Sequence, residues 1–278
     1  MIQLFHDLSK SCSRLTTERY STSFSSAIRL LHKDFRMPVY NIYGLVRFAD
    51  EIVDSFHGHN QEALLAEFKL ETYKALDRKI SLNPILHSFQ MTANKYGIKR
   101  ELIETFFMSM RSDLTNSRYD TLGYKEYIYG SAEVVGLMCL YVFCEGNNDM
   151  YVKLKPAAQA LGAAFQKVNF LRDVKQDHEI LNRTYFPEVD FNNFTPDKKQ
   201  QIENDIATDF ENAYKGILML PVKARFGVYV AYRYYQSLFK KIKKTRPAYI
   251  LEERIRIPNY SKAFIVMGAG IRSQLNIY

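Results

Sequence analysis

Two acidic clusters with the same internal spacing lie far apart in the sequence. The first contains Asp50 and Asp54, and the second contains Asn169, Asp173 and Asp177. Residues four apart lie on one face of a helix, so each set projects from a single side. Like charges at this spacing destabilise an isolated helix by roughly 0.2–0.5 kcal/mol per pair. If both sets face one cavity, cations must lie between them, and Mg²⁺ accepts carboxylate oxygens, water and phosphate as ligands.

A single Asp-x-x-x-Asp pattern on a helix is usually part of a solvated surface. Three features favour a buried site instead. There are two clusters, Arg47 precedes Asp50 by one turn and Arg172 adjoins Asp173, and the sequence around both clusters is almost entirely apolar. A helix that is apolar all round is buried, and buried charge must be paired or metal-bound. We therefore predict that the five polar residues bind Mg²⁺, or Mn²⁺ as the alternative, and thereby hold a diphosphate substrate.

Composition restricts the class of protein. The 278 residues suit one large helical domain or two small ones, and a hydrophobic content of 47% is ample for a core. The three cysteines have neither disulfide nor zinc spacing, which indicates a reduced, intracellular compartment. The start of the chain does not resemble a signal peptide, and no apolar run reaches the roughly 18 residues of a membrane span. We therefore expect a cytoplasmic protein without a transmembrane helix.

The chain carries a net charge of +8, much of it late in the sequence. The late basic residues are Arg233, Lys240, Lys241, Lys243, Lys244, Arg246, Arg254 and Arg256. Such a surface suits an anionic membrane or a nucleic acid. No RNA-binding or helix-turn-helix signature supports nucleic acid, so we expect an anionic membrane surface as partner and no nucleic acid. A plain solvated basic surface remains the alternative.

Hydrophobic periodicity predicts helix almost throughout. The predicted helices cover about 21–34, 38–56, 60–79, 83–96, 99–116, 123–145, 151–181, 196–219, 221–245 and 258–275. Prolines fall at or near several of the predicted starts, where they are tolerated. Small residues cluster between 157 and 164, which lets helices approach closely beside the second acidic cluster. The clearest break, at 184–187, is interpreted as an ordered loop over the mouth of a site.

These motifs resemble those of the head-to-head isoprenoid synthases, the family of squalene, dehydrosqualene and phytoene synthases, from about residue 20 to about residue 257. The second cluster matches the family's pattern throughout. The first reads Asp50-Glu51-x-x-Asp54, which is similar to the form found in phytoene synthases.

Further motifs carry the same resemblance. Residues 20–24 look like the family's N-terminal flap, whose hydroxyls, here Ser21 and Ser23, approach a diphosphate. Tyr127 lies in a segment similar to the family helix that places a tyrosine at the site. Tyr185 belongs to an Arg-x-Tyr-x-Pro match that begins at Arg183.

Three further positions, two similar to the family and one different, bear on the resemblance. Tyr235 and Arg254 fall near the family's late tyrosine and arginine. Glu133 departs from the pattern, because the family usually has glycine there. A charged side chain at this position could crowd the central helix or pair with an arginine, and so alter the shape of the pocket.

The resemblance implies an all-α fold, a single isoprenoid synthase domain over 1–278 with a central cavity. It implies head-to-head condensation of two geranylgeranyl diphosphates to phytoene through a cyclopropyl diphosphate, dependent on Mg²⁺. The side chains expected to act there are the metal-binding Asp50, Asp54, Asn169, Asp173 and Asp177, with Glu51 as an auxiliary, the diphosphate-binding Arg47, Arg172 and Arg254, and the orienting Tyr127, Tyr185 and Tyr235.

Other functions are also compatible with the sequence. A squalene or dehydrosqualene synthase would use farnesyl diphosphate, and squalene synthase ends with hydride from a nicotinamide cofactor. No strand-Gly-x-Gly-x-x-Gly-helix unit is present, so we expect no NADPH. A non-catalytic scaffold of the same fold would have lost the carboxylates, but all four aspartates remain. A nucleic-acid binder would show steep salt dependence.

Two residues are candidates for the wall of a prenyl tunnel. Ser21, Phe24 and Ile28 share one helical face, and Ile28 lies about 10 Å along the helix from Ser21, given a rise of about 1.5 Å per residue. Tyr40 precedes Arg47 by seven residues, which places it at about the same distance from the polar end. The alternative is that Ile28 and Tyr40 are ordinary core residues.

Overall fold

The computed structural model describes residues 2–181, 183–187, 189–252 and 254–274. Helices account for most of them. The α-helices are α1 (Ile2–Tyr20), α2 (Thr22–Arg29), α3 (Lys33–Ser55), α4 (Gln61–Arg78), α5 (Pro84–Tyr96), α6 (Arg100–Thr115), α7 (Thr121–Ile128), α8 (Val134–Cys144), α9 (Asn148–Lys175), α10 (Pro196–Met219), α11 (Val222–Lys244), α12 (Pro247–Glu252) and α13 (Asn259–Gln274). Within these ranges there is no strand, only an isolated bridge between Arg118 and Thr184. The predicted all-α class is confirmed.

Local sequence sets most helix starts. Asn83, Asp120 and Asn147 are N-caps whose side chains accept backbone N–H groups of the first turn, each worth about 1 kcal/mol. Pro84 and Pro196 occupy first helical positions, where the fixed φ and missing N–H cost nothing. Two short π-helical segments, Tyr129–Glu133 and Gln176–Ile180, extend α7 into α8 and continue α9.

The sequence did not predict α1. Its buried face consists of Ser9, Ser13 and Thr17 rather than apolar residues. These small side chains pack against α3 and α5, and the Ser13 hydroxyl lies 2.6 Å from that of Ser88. A search for apolar periodicity misses such a helix, because close packing of small hydroxyl residues carries no hydrophobic signal.

The predicted helix 21–34 is divided into two. α2 ends at Arg29, and the backbone N–H of His32 donates to the carbonyl of Lys223 on α11 at 2.9 Å. Leu31 packs so closely on Gly227 that a Cβ there would lie 2.6 Å from a leucine methyl. Contacts with α11 therefore break the helix, a tertiary effect that local sequence does not contain.

Two prolines lie farther into helices than predicted. α3 begins at Lys33 and α9 at Asn148, so Pro38 and Pro156 are inside these helices rather than at their starts. The prediction started these helices at 38 and 151, because the sequence rule places proline at or near a helix start, and it therefore omitted their first residues.

The core consists of two apolar clusters that share the long helix α9. One cluster is built mainly on α3, α5, α6 and α8, and the other on α10, α11 and the C-terminal part of α9. Gly162 on α9 sits against the π-helical segment, where a Cβ would lie 2.8 Å from the carbonyl oxygen of Ala132. The predicted close approach of helices at 157–164 is confirmed. That the domain covers 1–278 as one unit stays a prediction.

One stretch, Thr121–Cys144, is long and apolar enough to cross a membrane by length and composition alone. We had expected no such stretch from the sequence. Of its most apolar window, 61% is buried inside the protein, as in the core helix of a globular domain.

Candidate active site

A cavity of about 610 Å³ lies between α2, α3, α8, α9, α10 and α11. The C-terminal halves of α3 and α9 line one end with charged side chains, here called the polar end. The N-terminal halves of the same two helices line the other end with apolar side chains such as Val39 and Leu154, here called the apolar end. Such a site combines an apolar pocket with a few convergent polar groups.

The first acidic cluster occupies the polar end together with its arginine. The guanidinium of Arg47 forms ion pairs with both Asp50 and Glu51 on the same helix. It also lies over the ring of Tyr20, 4.3 Å from the ring centroid, which is a cation–π geometry. Arg47 therefore holds the first cluster in position and still lines the cavity.

Two arginines bind Asp173 of the second acidic cluster. Arg172 binds Asp173 through its Nε at 2.9 Å, and Arg254 reaches the same carboxylate at 2.7 Å from the segment after α12. Asn169 accepts a hydrogen bond from the hydroxyl of Tyr235 at 3.3 Å. All five predicted metal ligands line the cavity, and Arg254 lines it as well. The five are Asp50, Asp54, Asn169, Asp173 and Asp177.

Arg183 connects the two clusters. Its guanidinium donates to Asp54 at 2.7 Å, and its backbone N–H donates to the carbonyl of Asp177 at 2.7 Å. Its side chain is nearly fully buried. The sequence placed Arg183 in a motif but not at the site. The segment 183–187 thus does lie against the polar end, as the loop interpretation expected.

The two clusters face one another closely enough to shift protonation. Burial raises the pKa of Asp50 to about 7, with repulsion from Asp54 as the next cause. Burial raises the pKa of Asp177 to about 8, with repulsion from Asp173 and Asp54 adding to it. Because Asp54 of α3 repels Asp177 across the cavity, the two ladders share one space.

The raised pKa of Asp177 predicts how the metal-free protein responds to pH. The unfolded carboxyl ionises near pH 4, whereas the folded one keeps its proton up to about pH 8, so folding takes up a proton between these values. Stability without metal should therefore fall as the pH rises through that window. We expect Asp177→Asn to melt a few degrees above the parent at pH 8.5 in EDTA, and at the same temperature near pH 4.5.

Calorimetric melts across that pH range in EDTA measure this effect. Asp197→Asn, an exposed position in the first turn of α10, is the control and should leave the pH profile unchanged. Equal melting temperatures of Asp177→Asn and the parent at every pH would contradict the repulsion between clusters.

The donor set fits a hard divalent cation. The potential metal ligands at the polar end are carboxylate and amide oxygens, and the carboxylates of the two clusters raise one another's pKa, as expected for like charges that a cation would bring together. Among the described residues, no three acidic, His or Cys side chains are close enough to enclose an ion by themselves. A cation here would need substrate phosphates and water as further ligands, as Mg²⁺ commonly does.

Asp113 on α6 is a site residue that the sequence analysis missed. Its buried carboxylate accepts hydrogen bonds from the hydroxyls of Tyr127 at 2.5 Å, Tyr119 at 3.2 Å and Tyr185 at 3.3 Å. Burial raises the pKa of Asp113 to about 6, although Arg183 and the tyrosines oppose the rise. Tyr127 and Tyr185 do line the cavity, but their hydroxyls are directed to this carboxylate. Asp113 belongs to neither acidic cluster and has no acidic residue three or four positions away, so nothing in the sequence indicated that it lies at the site.

The structure distinguishes among the predicted substrate-binding residues. Ser21 and Ile28 line the cavity, at its polar and apolar ends respectively, and Ser21 also caps α2 by accepting the N–H of Phe24 at 3.2 Å. Ser23 and Tyr40 are not among the lining residues. Ser21 is the extended N-cap residue outside the helix, whereas Ser23 lies within α2, and of these two only Ser21 lines the cavity.

Tyr40 lies in the hydrophobic core instead of the cavity wall. Its side chain is buried in the cluster around α3, and its hydroxyl is 3.5 Å from the carbonyl of Ser25. Tyr43, one turn closer to Arg47, takes the lining position. Burial raises the pKa of Tyr43 to about 12, so its hydroxyl stays protonated.

Glu133 does not pair with an arginine in the structure. It accepts a hydrogen bond from Gln159 on α9 at 2.8 Å, on the side of the π-helical segment away from the cavity, and does not line the cavity. Burial raises the pKa of Glu133. From this stretch of the chain, the residues that line the cavity instead are Ser131, Ala132, Val135 and Gly136.

A family model described as squalene/phytoene synthase matches residues 17–261. The chain belongs to the squalene/phytoene synthase family. The match includes both acidic clusters and every arginine described at the polar end.

Individual relatives agree with this family. A 4,4'-diapophytoene synthase from Staphylococcus haemolyticus is 24% identical over 87% of this chain and 90% of the relative. A 15-cis-phytoene synthase from Synechocystis is 26% identical over 94% of this chain and 84% of the relative. Among solved structures, a dehydrosqualene synthase in complex with ligand superposes with a TM-score of 0.82 at 19% identity and covers 98% of both chains.

Membership of the squalene/phytoene synthase family defines the reaction type. Members are prenyltransferases that condense two prenyl diphosphates head to head in isoprenoid biosynthesis, and the chain is such a prenyltransferase. A squalene synthase from Alicyclobacillus acidocaldarius has the same fold, with a TM-score of 0.72 at 18% identity over 85% of this chain and 93% of that one. The all-α isoprenoid synthase fold predicted from the sequence is thus confirmed.

Proposed function

We propose that the chain condenses two geranylgeranyl diphosphates to phytoene with Mg²⁺ bound between its two acidic clusters. The observation that carries the proposal is the convergence of both clusters, with their arginines, at the polar end of a single apolar cavity. The phytoene synthase form of the first motif, Asp50-Glu51-x-x-Asp54, and the phytoene synthases among the relatives support the C20 substrate.

Residues of the polar end hold the diphosphates. Mg²⁺, with Mn²⁺ as the alternative, supplies Lewis-acid stabilisation of the leaving diphosphate when bound by Asp50, Asp54, Asn169, Asp173 and Asp177. Arg47, Arg172 and Arg254 present planar sets of N–H donors to diphosphate oxygens once substrate displaces part of their contacts with carboxylates. Positioned cationic donors of this kind stabilise charge that develops on the leaving group.

The rest of the cavity controls the carbocations. Loss of diphosphate from the first substrate gives an allylic cation, which the double bond of the second attacks. Loss of a proton then closes the cyclopropyl ring. A second loss of diphosphate, rearrangement and loss of another proton give the hydrocarbon. Aromatic rings near the clusters, such as Phe165 stacked on Tyr235 with centroids 3.8 Å apart, exclude water and can stabilise positive charge.

A second candidate is condensation of farnesyl diphosphates to dehydrosqualene or squalene. The similarity in fold to a dehydrosqualene synthase over 98% of both chains favours it, as does the diapophytoene synthase relative. A non-catalytic scaffold is less favoured, because all four aspartates are present and line the cavity.

We expect the purified protein to form a hydrocarbon from geranylgeranyl diphosphate and Mg²⁺ without added reductant. The reason is that rearrangement ends with proton loss and no nicotinamide fingerprint is present in the sequence. Incubation with farnesyl or geranylgeranyl diphosphate, each with and without NADPH, followed by mass spectrometry of the product, tests substrate and termination together. A strict requirement for NADPH would identify a squalene synthase.

We also propose that the protein is cytoplasmic and binds reversibly to the inner face of an anionic membrane, where an insoluble product would be delivered. The exposed basic residues at the end of α11 supply the attraction, and each is worth about 1 kcal/mol near such a surface. We expect flotation with anionic but not neutral vesicles, weakening as salt is added. Equal flotation with both kinds of vesicle at low salt would contradict an electrostatic role.

A further inference from the structure

The last helix, α13, has an apolar face that points away from the protein. The side chain of Ala269 is buried, and the helix packs against α11. On the opposite face, Tyr260 is 68% exposed, Phe264 65%, Met267 58% and Ile271 60%. Their spacing of four, three and four residues places all four in one narrow stripe along the helix. Isolated exposed apolar residues are ordinary, but a continuous stripe marks a surface that binds something.

Basic residues lie near the start of this helix. The C-terminal end of α11 exposes Lys240, Lys241, Lys243 and Lys244. The ammonium group of Lys241 donates to the backbone carbonyl of Arg256 at 2.9 Å, three residues before α13 begins. The lysine-rich end of α11 therefore lies directly beside the start of the apolar stripe. An apolar helix face flanked by cationic side chains is complementary to an anionic lipid surface.

The same helix is connected to the polar end of the cavity. Lys262 donates to the hydroxyl of Thr22 at 2.8 Å, and Thr22 follows Ser21, which lines the cavity. Arg254, which pairs with Asp173, lies in the short segment that precedes α13. The stripe is therefore attached, through one side-chain contact and one short segment, to the elements that hold the diphosphate site.

We propose that α13 lies in the interfacial layer of an anionic bilayer, with Tyr260, Phe264, Met267 and Ile271 inserted among the lipid chains. This rests on the proposed membrane binding and adds to it a named inserting element. Basic residues attract the protein to the surface, and the stripe of α13 then enters the apolar layer. The substrate tails and the hydrocarbon product partition into that same layer.

The sequence offers a clean probe, because it contains no tryptophan. Phe264→Trp introduces a single tryptophan in the stripe, and Leu82→Trp introduces one at a position that is 96% exposed between α4 and α5. We expect vesicles of phosphatidylcholine and phosphatidylglycerol to shift the tryptophan fluorescence of the Phe264→Trp variant to the blue. Brominated lipid chains should quench it. At position 82 neither effect should appear.

A second pair of variants measures affinity. Phe264→Glu with Met267→Glu should lower the vesicle partition coefficient by at least about 10-fold, since two inserted apolar side chains would become charged. Leu82→Glu with Leu122→Glu adds the same charge at two exposed leucines outside the stripe and should lower the partition coefficient only modestly. Circular dichroism and product formation in detergent confirm that each full-length variant is folded.

The possible results separate the two proposals. Vesicle binding without quenching at 264, and with equal effects of both glutamate pairs, would overturn the role of α13 and leave electrostatic membrane binding in place. Absence of any vesicle binding would overturn both membrane proposals but not the condensation reaction. A dimer in solution that dissociates only in the Phe264→Glu, Met267→Glu variant would show that a second copy covers the stripe, and would also overturn the inference.

Discussion

Asp50→Asn should reduce turnover by about 10²–10³-fold while leaving the protein folded, since it removes one ligand from the cation that would stabilise the leaving diphosphate, and loss of one such electrostatic stabilisation costs on this order. Asp50 lines the polar end, and burial with repulsion from Asp54 raises its pKa to about 7. Its charge therefore opposes folding in the absence of a cation, and a neutral isostere should preserve or increase the melting temperature. Steady-state rates at saturating substrate, measured over a Mg²⁺ titration beside thermal melts, test both parts.

The controls for Asp50→Asn separate a metal role from a structural one. Asp34→Asn makes the same chemical change at an exposed position of the same helix and should keep normal turnover. Asp173→Asn, on the facing helix α9, should behave like Asp50→Asn and require more Mg²⁺ for its residual rate. Near-normal Mg²⁺-dependent turnover in either cavity variant would exclude that aspartate from the metal site.

Ile28→Phe should shift the preference between donors toward farnesyl diphosphate, by roughly 10-fold or more in the ratio of kcat/KM values. Ile28 lies at the apolar end of the cavity, on the same short helix as Ser21 at the polar end. A larger side chain there shortens the space for the C20 tail but leaves room for the C15 tail. The measurement is kcat/KM for both diphosphates beside the melting temperature.

A core position provides the matched control for Ile28→Phe. Ile103 is fully buried in the cluster around α3 and α6 but does not line the cavity. Ile103→Phe should cost roughly 1–3 kcal/mol of stability through overpacking, with no change in the donor ratio. If Ile28→Phe is folded and its ratio is unchanged, Ile28 does not limit the length of the tail.

Much of the site could be predicted because helix geometry relates nearby residues without any tertiary information. Residues three or four apart share a face, so the pairing of Arg47 with Asp50 and Glu51 follows from spacing alone. Apolar surroundings around charged ladders similarly predicted burial, and the cavity contains all five proposed ligands. The fold class followed from the same periodicity.

Hydrophobic periodicity did not predict which of two neighbouring residues lines the cavity when both lie near the edge of a buried helix face. Tyr40 and Tyr43 both lie within one or two turns of Arg47, yet only Tyr43 lines the cavity. Ser21 and Ser23 are equally plausible as hydroxyl donors by type, but the start of α2 directs only Ser21 inward. These choices depend on how α2 and α3 are rotated about their axes, and packing against other helices sets that rotation.

The sequence by itself determined most of the helices, their apolar faces and the composition of each acidic ladder, since these depend on neighbours within a few residues. Only the tertiary structure decided that the two acidic ladders meet at one end of a single cavity. It placed Asp113 of α6 among three tyrosine hydroxyls and Arg183 between Asp54 and Asp177. It also formed α1 on buried hydroxyl groups and turned the apolar stripe of α13 outward. Each of these arrangements joins residues distant in the chain, and no local pattern records the packing that brings them together.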